Sequence, residues 1–319
     1  MAHNIYDGRA AIVKTAWHNE GVRVPNVLTA AEAIKQARLD YVIEKLPIYV
    51  DHNGQKVSTD FLATFNPENK TVFGVVKDRY KIIQNVDAFG FFDEIVKSGE
   101  AVYESVGALG MGERIWILAR LPKNTLIFKN IDIIENYLLL TNSHDGKGSL
   151  LMYFTPVRVV CQNTLNQSIG NRTGETVHIR HIGNIKDKIS EARRILGLGL
   201  DFAQVFEKTA KELVQVKLTD DRAGKYFDRV LKIEGKTEED ISTRQENVRR
   251  DIFAIYKKSE ANTIQGIENT LWTAYNAVTE YTDHYKTVKN NRRLESIIFG
   301  SGADLKHRAW EQALVEIGK

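Results

Sequence analysis

An amide-rich run of side chains follows an apolar segment in the middle of the chain. After PVRVVC at 156–161 come the side chains Gln162, Asn163, Thr164, Asn166 and Gln167. Amides and hydroxyls hydrogen-bond to the phosphates and base edges of nucleic acids. Asn163 or Thr164 could equally cap a short helix. The run therefore indicates either a nucleic-acid contact or a local turn.

Basic residues surround this run. Residues 157–194 hold seven Lys and Arg against three Asp and Glu, a net charge of +4, whereas the whole chain sums to +3. A concentrated basic patch attracts anionic partners more effectively than the same charge spread over a surface. The segment contributes the candidate phosphate contacts Arg158, Arg180, Lys186, Arg193 and Arg194. Arg158 lies in an apolar strand pattern, so it could instead pair with a buried carboxylate.

Single-strand binding also requires flat side chains on which bases stack. The turn DRYK at 78–81 offers Tyr80 between Arg79 and Lys81, and the segment VHIRH at 177–181 offers His178. Most aromatic side chains at strand spacing belong to a core, so these are candidates that the fold must present to solvent. Together they extend the predicted DNA-binding set to Arg79, Tyr80, Lys81, Arg158, Asn163, His178, Arg180, Lys186, Arg193 and Arg194.

Enzyme chemistry is an open alternative. His18, His144, Asp145, His178 and His181 could act as acid, base or metal ligand if the fold brought them together. In a strand, however, residues three apart point to opposite faces, so His178 and His181 would diverge. No nucleophile elbow of the form G-x-S-x-G occurs. The prediction is therefore a protein without covalent catalysis, metal or cofactor.

Cys161 is the sole cysteine, which excludes an intrachain disulfide. It lies in an apolar strand pattern, and we expect it to be structural. A single thiol, a polar start of the chain and the lack of a membrane-length apolar run predict a soluble cytoplasmic protein.

The elements that would position these residues are strands first and helices later. Asn53-Gly54 between the segments 46–51 and 56–65 is a strong hairpin signal. Thr29 to Glu32 forms a capping box that predicts a helix over 30–38, and Asp87 could cap another. Further strands are predicted at 71–76, 101–106, 114–121, 126–134, 137–141, 149–155, 157–161 and 176–182.

From residue 184 onward the pattern is helical. An apolar stripe from Ile264 to Tyr285 predicts one long helix suited to helix-on-helix packing. The fold class expected is α+β: a curved antiparallel sheet packed with helices, followed by a helical C-terminal part. The predicted domains are 1–195 (α+β core) and 196–319 (helical).

The chain resembles the phage/plasmid-like protein family, a bacterial, phage and plasmid family catalogued as a domain of unknown function. The matching stretches are AWHNEG (16–21), FGVVKDRYKIIQN (73–85), YESVGALGMGERIWILARLP (103–122), YLLLTNSHDGKGS (137–149), PVRVVCQNTLN (156–166), VHIRH (177–181), TLWTAYNAVTEYTDH (270–284) and FGSGADLKHRAWEQAL (299–314). The resemblance implies a passenger of mobile elements. By fold analogy it is distantly similar to single-strand-annealing recombination proteins.

Three functions follow from these observations. The first is an oligomeric protein that binds or anneals single-stranded DNA. The second is a protein-binding module that engages a host or phage protein, as a counter-defence or structural factor, with the helix at 264–285 as its interface. The third is a metal-dependent hydrolase or nuclease that uses the histidines.

Overall fold

A computed structural model describes residues 5–12, 22–23, 29–97, 101–128, 131–146, 150–158, 160, 163–164, 177–178, 185–289 and 292–319. Within these ranges the fold is α+β, as the sequence predicts. The strands are β1 Ile5–Ile12, β2 Val22–Arg23, β3 Glu44–His52, β4 Gln55–Asn66, β5 Thr71–Lys77, β6 Val102–Leu109, β7 Arg114–Arg120, β8 Thr125–Phe128, β9 Asp132–Ser143, β10 Leu151–Arg158, β11 Asn163–Thr164 and β12 Val177–His178.

The helices fall mainly in the second half of the chain. They are α1 Ala30–Gln36, α2 Asn85–Lys97, α3 Ile185–Gln215, α4 Asp220–Leu231, α5 Thr243–Lys258, α6 Leu271–Glu280, α7 Arg293–Phe299 and α8 Ser301–Glu316. A 3-10 turn spans Glu238–Asp240, and a π-helical turn, Tyr281–Tyr285, extends α6.

Two sheets organise the strands. The larger follows the order β11-β10-β9-β7-β6-β1-β2, with β8 on β9 and β12 on β10. The smaller has the order β3-β4-β5 and is antiparallel throughout. Its β3–β4 turn is at Asn53-Gly54, where both residues take positive φ (53° and 81°), as the sequence predicts.

The chain divides into two compact units. The first comprises Met1–Pro122, Leu138–Tyr153 and Glu175–Leu198; the second comprises Lys123–Tyr137, Phe154–Gly174 and Gly199–Lys319. This division differs from the single boundary expected at residue 195, because β9, β10 and α3 each continue from one unit into the other.

Aromatic packing forms the core of each unit. In the first, Phe92 and Tyr103 lie 5.7 Å apart between ring centroids, and both are fully buried. In the second, the rings of Tyr275 and Phe206 lie 5.1 Å and 5.4 Å from Trp310. Aromatic side chains bury the most apolar area per residue, so these clusters dominate the stability of each unit.

The helix expected over 264–285 is wrong in extent, although α6 packs against other helices as the sequence predicts. Gly266 (φ 101°) and Asn269 (φ 56°) take left-handed conformations that interrupt a helix, and α6 begins only after its N-cap Thr270. All ten residues of α6 are buried in the second unit. This helix therefore packs inside the protein and offers no interface to another molecule.

Two strand predictions also need correction. The segment 126–134, expected as one strand, is divided between β8 and β9, which pair antiparallel. The sequence pattern predicts two strands at 149–155 and 157–161, but β10 runs continuously from Leu151 to Arg158. Asp132 becomes the first residue of β9, where its side chain is buried.

Candidate nucleic-acid interface

Two of the accessible predicted site residues lie in the turn after β5. Arg79 and Lys81 are exposed, and within the described residues neither makes an ion pair. Tyr80 between them is half-buried, and its hydroxyl donates a hydrogen bond to the Ser143 carbonyl (3.1 Å). Burial and the nearby Asp145 raise the pKa of the Tyr80 hydroxyl, which keeps it a neutral donor.

Lys45 holds this turn in place. Its Nζ donates to the carbonyls of Asp78 (3.0 Å) and Tyr80 (3.1 Å) and lies 3.9 Å from the Asp78 carboxylate. Sequence reasoning missed Lys45 because it precedes the turn by more than thirty residues, and only the pairing of β3, β4 and β5 brings it there. Because Lys45 holds the backbone of this turn, the turn loses little conformational entropy when it binds a ligand.

Arg158 does not belong to an interface. Its guanidinium donates to both carboxylate oxygens of Asp132, from Nε to Oδ1 (2.8 Å) and from Nη2 to Oδ2 (2.9 Å), and both side chains are completely buried. Nη1 and Nη2 also donate to the Asn262 side chain (3.0 Å) and the Ala261 carbonyl (2.7 Å). The predicted phosphate contact at Arg158 is therefore wrong, and the alternative of a buried carboxylate partner is what the structure shows.

The same network continues through the second unit. Trp272 Nε1 donates to Asp132 Oδ2 (2.7 Å), and the Asn262 amide donates to Glu280 Oε2 (3.0 Å). Ser259 donates to the same Glu280 oxygen (2.9 Å), and burial raises the pKa of this carboxyl. A buried charge is stable only when it is paired and hydrogen-bonded, so the network joins the sheet to α6 and to the end of α5.

The other predicted residues are described only in part. Asn163 and His178 lie in the short strands β11 and β12, which pair with β10 at Arg158 and Leu151. Lys186 and Arg193 lie on α3, and Arg194 on the same helix is exposed. Arg180 and Cys161 lie outside the described residues.

His144 is a core residue. Its ring is fully buried and stacks on Phe73 with 6.4 Å between centroids. Nε2 lies 2.8 Å from Asn85 Oδ1, so that nitrogen carries the proton. Burial lowers the pKa of His144 to about 4, which makes the ring neutral at physiological pH. His144 is thus not presented to a substrate, in contrast to its expected role as a candidate acid or base.

Of the other candidates for enzyme chemistry, Asp145 accepts a hydrogen bond from the Ser143 hydroxyl (2.6 Å), whereas His18 and His181 lie outside the described residues. Within the described part of the chain, no group of three His, Cys, Asp or Glu side chains is placed to hold a metal ion. In that same part, no helix combines the length and apolar character needed to cross a membrane.

Fold and surface together define an α+β protein whose first unit carries an exposed turn with two cations, Arg79 and Lys81. Residues 72–298 match the sequence model of the family described as Domain of unknown function (DUF932), and the chain belongs to this family. This confirms that the chain belongs to a domain family of unknown function. No curated protein and no solved structure matches the chain.

Proposed function

We propose that this protein binds single-stranded DNA through its first unit and acts without covalent catalysis. The observation that carries the proposal is the turn at 78–81, where Arg79 and Lys81 stand exposed on a backbone fixed by Lys45. Two cations on a preorganised turn can neutralise two backbone phosphates. The partly exposed ring of Tyr80 lies between them, where a base could stack.

The exposed Arg194 supports the same function. It lies on α3 in the segment assigned to the first unit, within the stretch that carries the +4 charge. The removal of Arg158 leaves that stretch still net basic. The DNA contact then involves Arg79, Tyr80, Lys81 and Arg194, with His178, Arg180, Lys186 and Arg193 as further proposed contacts. Asn163 belongs to the second unit and is left out of this contact.

The wider role follows from the resemblance to phage and plasmid proteins. In that setting the protein takes part in DNA recombination of a mobile element, in the cytoplasm, by holding or annealing single strands. Annealing requires strands held by their backbones with the bases free to pair, and this needs no catalytic residue. A protein-binding role stays the second candidate, and the exposed apolar face of the β3-β4-β5 sheet favours it.

The test is the affinity for a fluorescent single-stranded oligonucleotide at several salt concentrations. Each phosphate contact on a single strand adds about 0.7 to the slope of log affinity against log salt. The double variant Arg79→Ala/Lys81→Ala should therefore weaken binding and flatten the slope by about 1.4. The control Lys225→Ala/Lys236→Ala removes two exposed lysines of the second unit and should leave the slope unchanged.

Unchanged affinity and slope in a folded Arg79→Ala/Lys81→Ala protein would remove the turn from the DNA site. An equal loss of DNA affinity and salt slope in Lys225→Ala/Lys236→Ala would show that binding depends on net charge alone. That result would also contradict a specific site in the first unit.

A further inference from the structure

The two faces of the β3-β4-β5 sheet differ in burial at the base of the sheet, whereas both faces are exposed toward the hairpin tip. On one face Thr64 and Val76 are 0% and 7% exposed, and a Cβ at Gly74 would collide with the Asp145 backbone. The first unit therefore covers the base of this face, while Tyr49 nearer the hairpin tip is 51% exposed. Residues paired across antiparallel strands share a face. The register therefore puts Leu46, Ala63 and Val75 together on the opposite face.

Large apolar side chains on that opposite face are exposed and surround Ala63, which is itself buried (7% exposed). Val50 pairs with Val57 toward the hairpin tip, and a bulge at Phe73 puts Val72 opposite Phe65 at the base. The exposed fractions run from 37% to 59% across the six large apolar side chains of this face: Leu46, Val50, Val57, Phe61, Val72 and Val75. We call these six the apolar sheet face. Apolar clusters of this size on a protein surface mark interaction sites.

The charge on this face is balanced. Among the strand residues that share it, Glu44 and Lys77 carry a formal charge, one negative and one positive. An anionic ligand such as DNA finds too few cations here, and an anionic membrane surface would require a basic rim. A two-fold contact sets the same surface of two copies against each other. Because this face has no net charge, the two copies meet without net repulsion.

The size of the face suits a dimer. A strand of nine residues extends about 30 Å and three strands span about 14 Å, so the face covers roughly 400 Å² in projection. A stable contact removes about 800 Å² of accessible surface from each partner. In projection this face therefore supplies about half of the area that a stable dimer needs, and side-chain relief makes its accessible area larger than the projection.

We propose that the apolar sheet face binds the same face of a second copy, so that the protein is a two-fold dimer. This contact replaces the helix at 264–285 as the basis of oligomerisation. It does not depend on DNA binding, since Arg79 and Lys81 lie outside the face.

The test is a charge exchange measured by sedimentation of the full chain. The wild type should be a dimer at micromolar concentration. Val57→Glu/Val75→Glu and Val57→Lys/Val75→Lys each place two like charges per copy in the contact, so each should be monomeric. An equimolar mixture of the two should form a heterodimer, because opposite charges then meet across the contact.

Val205→Glu/Val315→Glu is the matched control, since it changes two exposed valines on helices of the second unit. This variant should remain dimeric, and circular dichroism should show the fold of all variants intact. A monomeric wild type would overturn the proposal, and so would a dimer that survives both sheet-face variants. Monomeric variants that fail to pair in the mixture would also contradict a face-to-face contact.

Discussion

Arg158 and Asp132 form a bidentate ion pair between β10 and β9, with N–O distances of 2.8 and 2.9 Å and no solvent exposure of either side chain. The planar guanidinium matches the two carboxylate oxygens, a geometry that lysine cannot reproduce. Around the pair, Asn262, Trp272 and the Ala261 carbonyl complete the hydrogen bonding. Arg158, a basic residue in an apolar strand, therefore has a structural role.

Loss of one member of this pair should destabilise the second unit strongly. Asp132→Asn leaves a buried guanidinium without its counter-charge, which costs about 3–5 kcal/mol. The matched control is Asp228→Asn, which breaks the partly exposed Arg249–Asp228 pair and should cost less than about 1 kcal/mol. Urea unfolding measures both, and equal small losses would contradict the structural role of Asp132.

Arg158→Gln/Asp132→Asn provides the companion test on binding, because it removes the cation together with its buried counter-charge. The folded variant should keep the wild-type DNA affinity and salt slope, since a fully buried side chain cannot reach a phosphate. A slope reduced by about 0.7, the value for one phosphate, would return Arg158 to the DNA contact.

His144 should make the stability of the first unit depend on pH. Its folded pKa of about 4 lies below the ordinary 6.5, so the unfolded chain binds a proton more readily. The contribution of His144 to the free energy of unfolding is therefore fully present above pH 6.5 and is lost as the pH drops toward 4. Between pH 7 and pH 5 the loss should be about 2 kcal/mol.

The measurement is urea unfolding at both pH values for wild type and His144→Gln, whose side chain does not titrate. The difference between the two proteins isolates the histidine from other groups. A pH dependence that is identical in both would show that His144 is not the titrating group.

Two glycines of the first unit should respond oppositely to alanine. A Cβ at Gly107 would collide with the indole of the fully buried Trp116, so Gly107→Ala should destabilise by about 1–3 kcal/mol. Gly90 lies in α2 and is exposed, and a methyl group added there would meet no atom within 4 Å. Gly90→Ala should stabilise by about 0.5–1 kcal/mol through helix propensity. Thermal melts compare the two, and a stable Gly107→Ala would contradict the packing.

Local signals predict much of the fold. The Asn53-Gly54 turn and the Thr29 capping box depend on neighbouring residues alone, and both occur as expected. The stripe from Ile264 to Tyr285 is misleading because apolar spacing continues through Gly266, whose left-handed backbone ends any helix there. Spacing reports which residues are apolar, but not where the backbone leaves the helix.

The candidate site is less predictable than the fold. The chemistry of Arg79 and Lys81 is enough to select them, whereas the Lys45 anchor depends on strand pairing. Arg158 carries the same charge as Arg79. Its apolar strand pattern indicates a buried carboxylate partner only as one of two alternatives, and tertiary packing decides between them. The apolar sheet face is also hidden in the sequence, since alternation identifies two faces of a strand and not which face the protein covers.

Binding of the wild-type protein to single- and double-stranded oligonucleotides of the same sequence, over a salt series, tests the proposed DNA-binding function most directly. We expect tighter binding to the single strand, with log affinity falling linearly with log salt and a slope of at least about 1.4, the value for two phosphates. Absence of binding to single strands at low salt, or a preference for the duplex, would contradict this function.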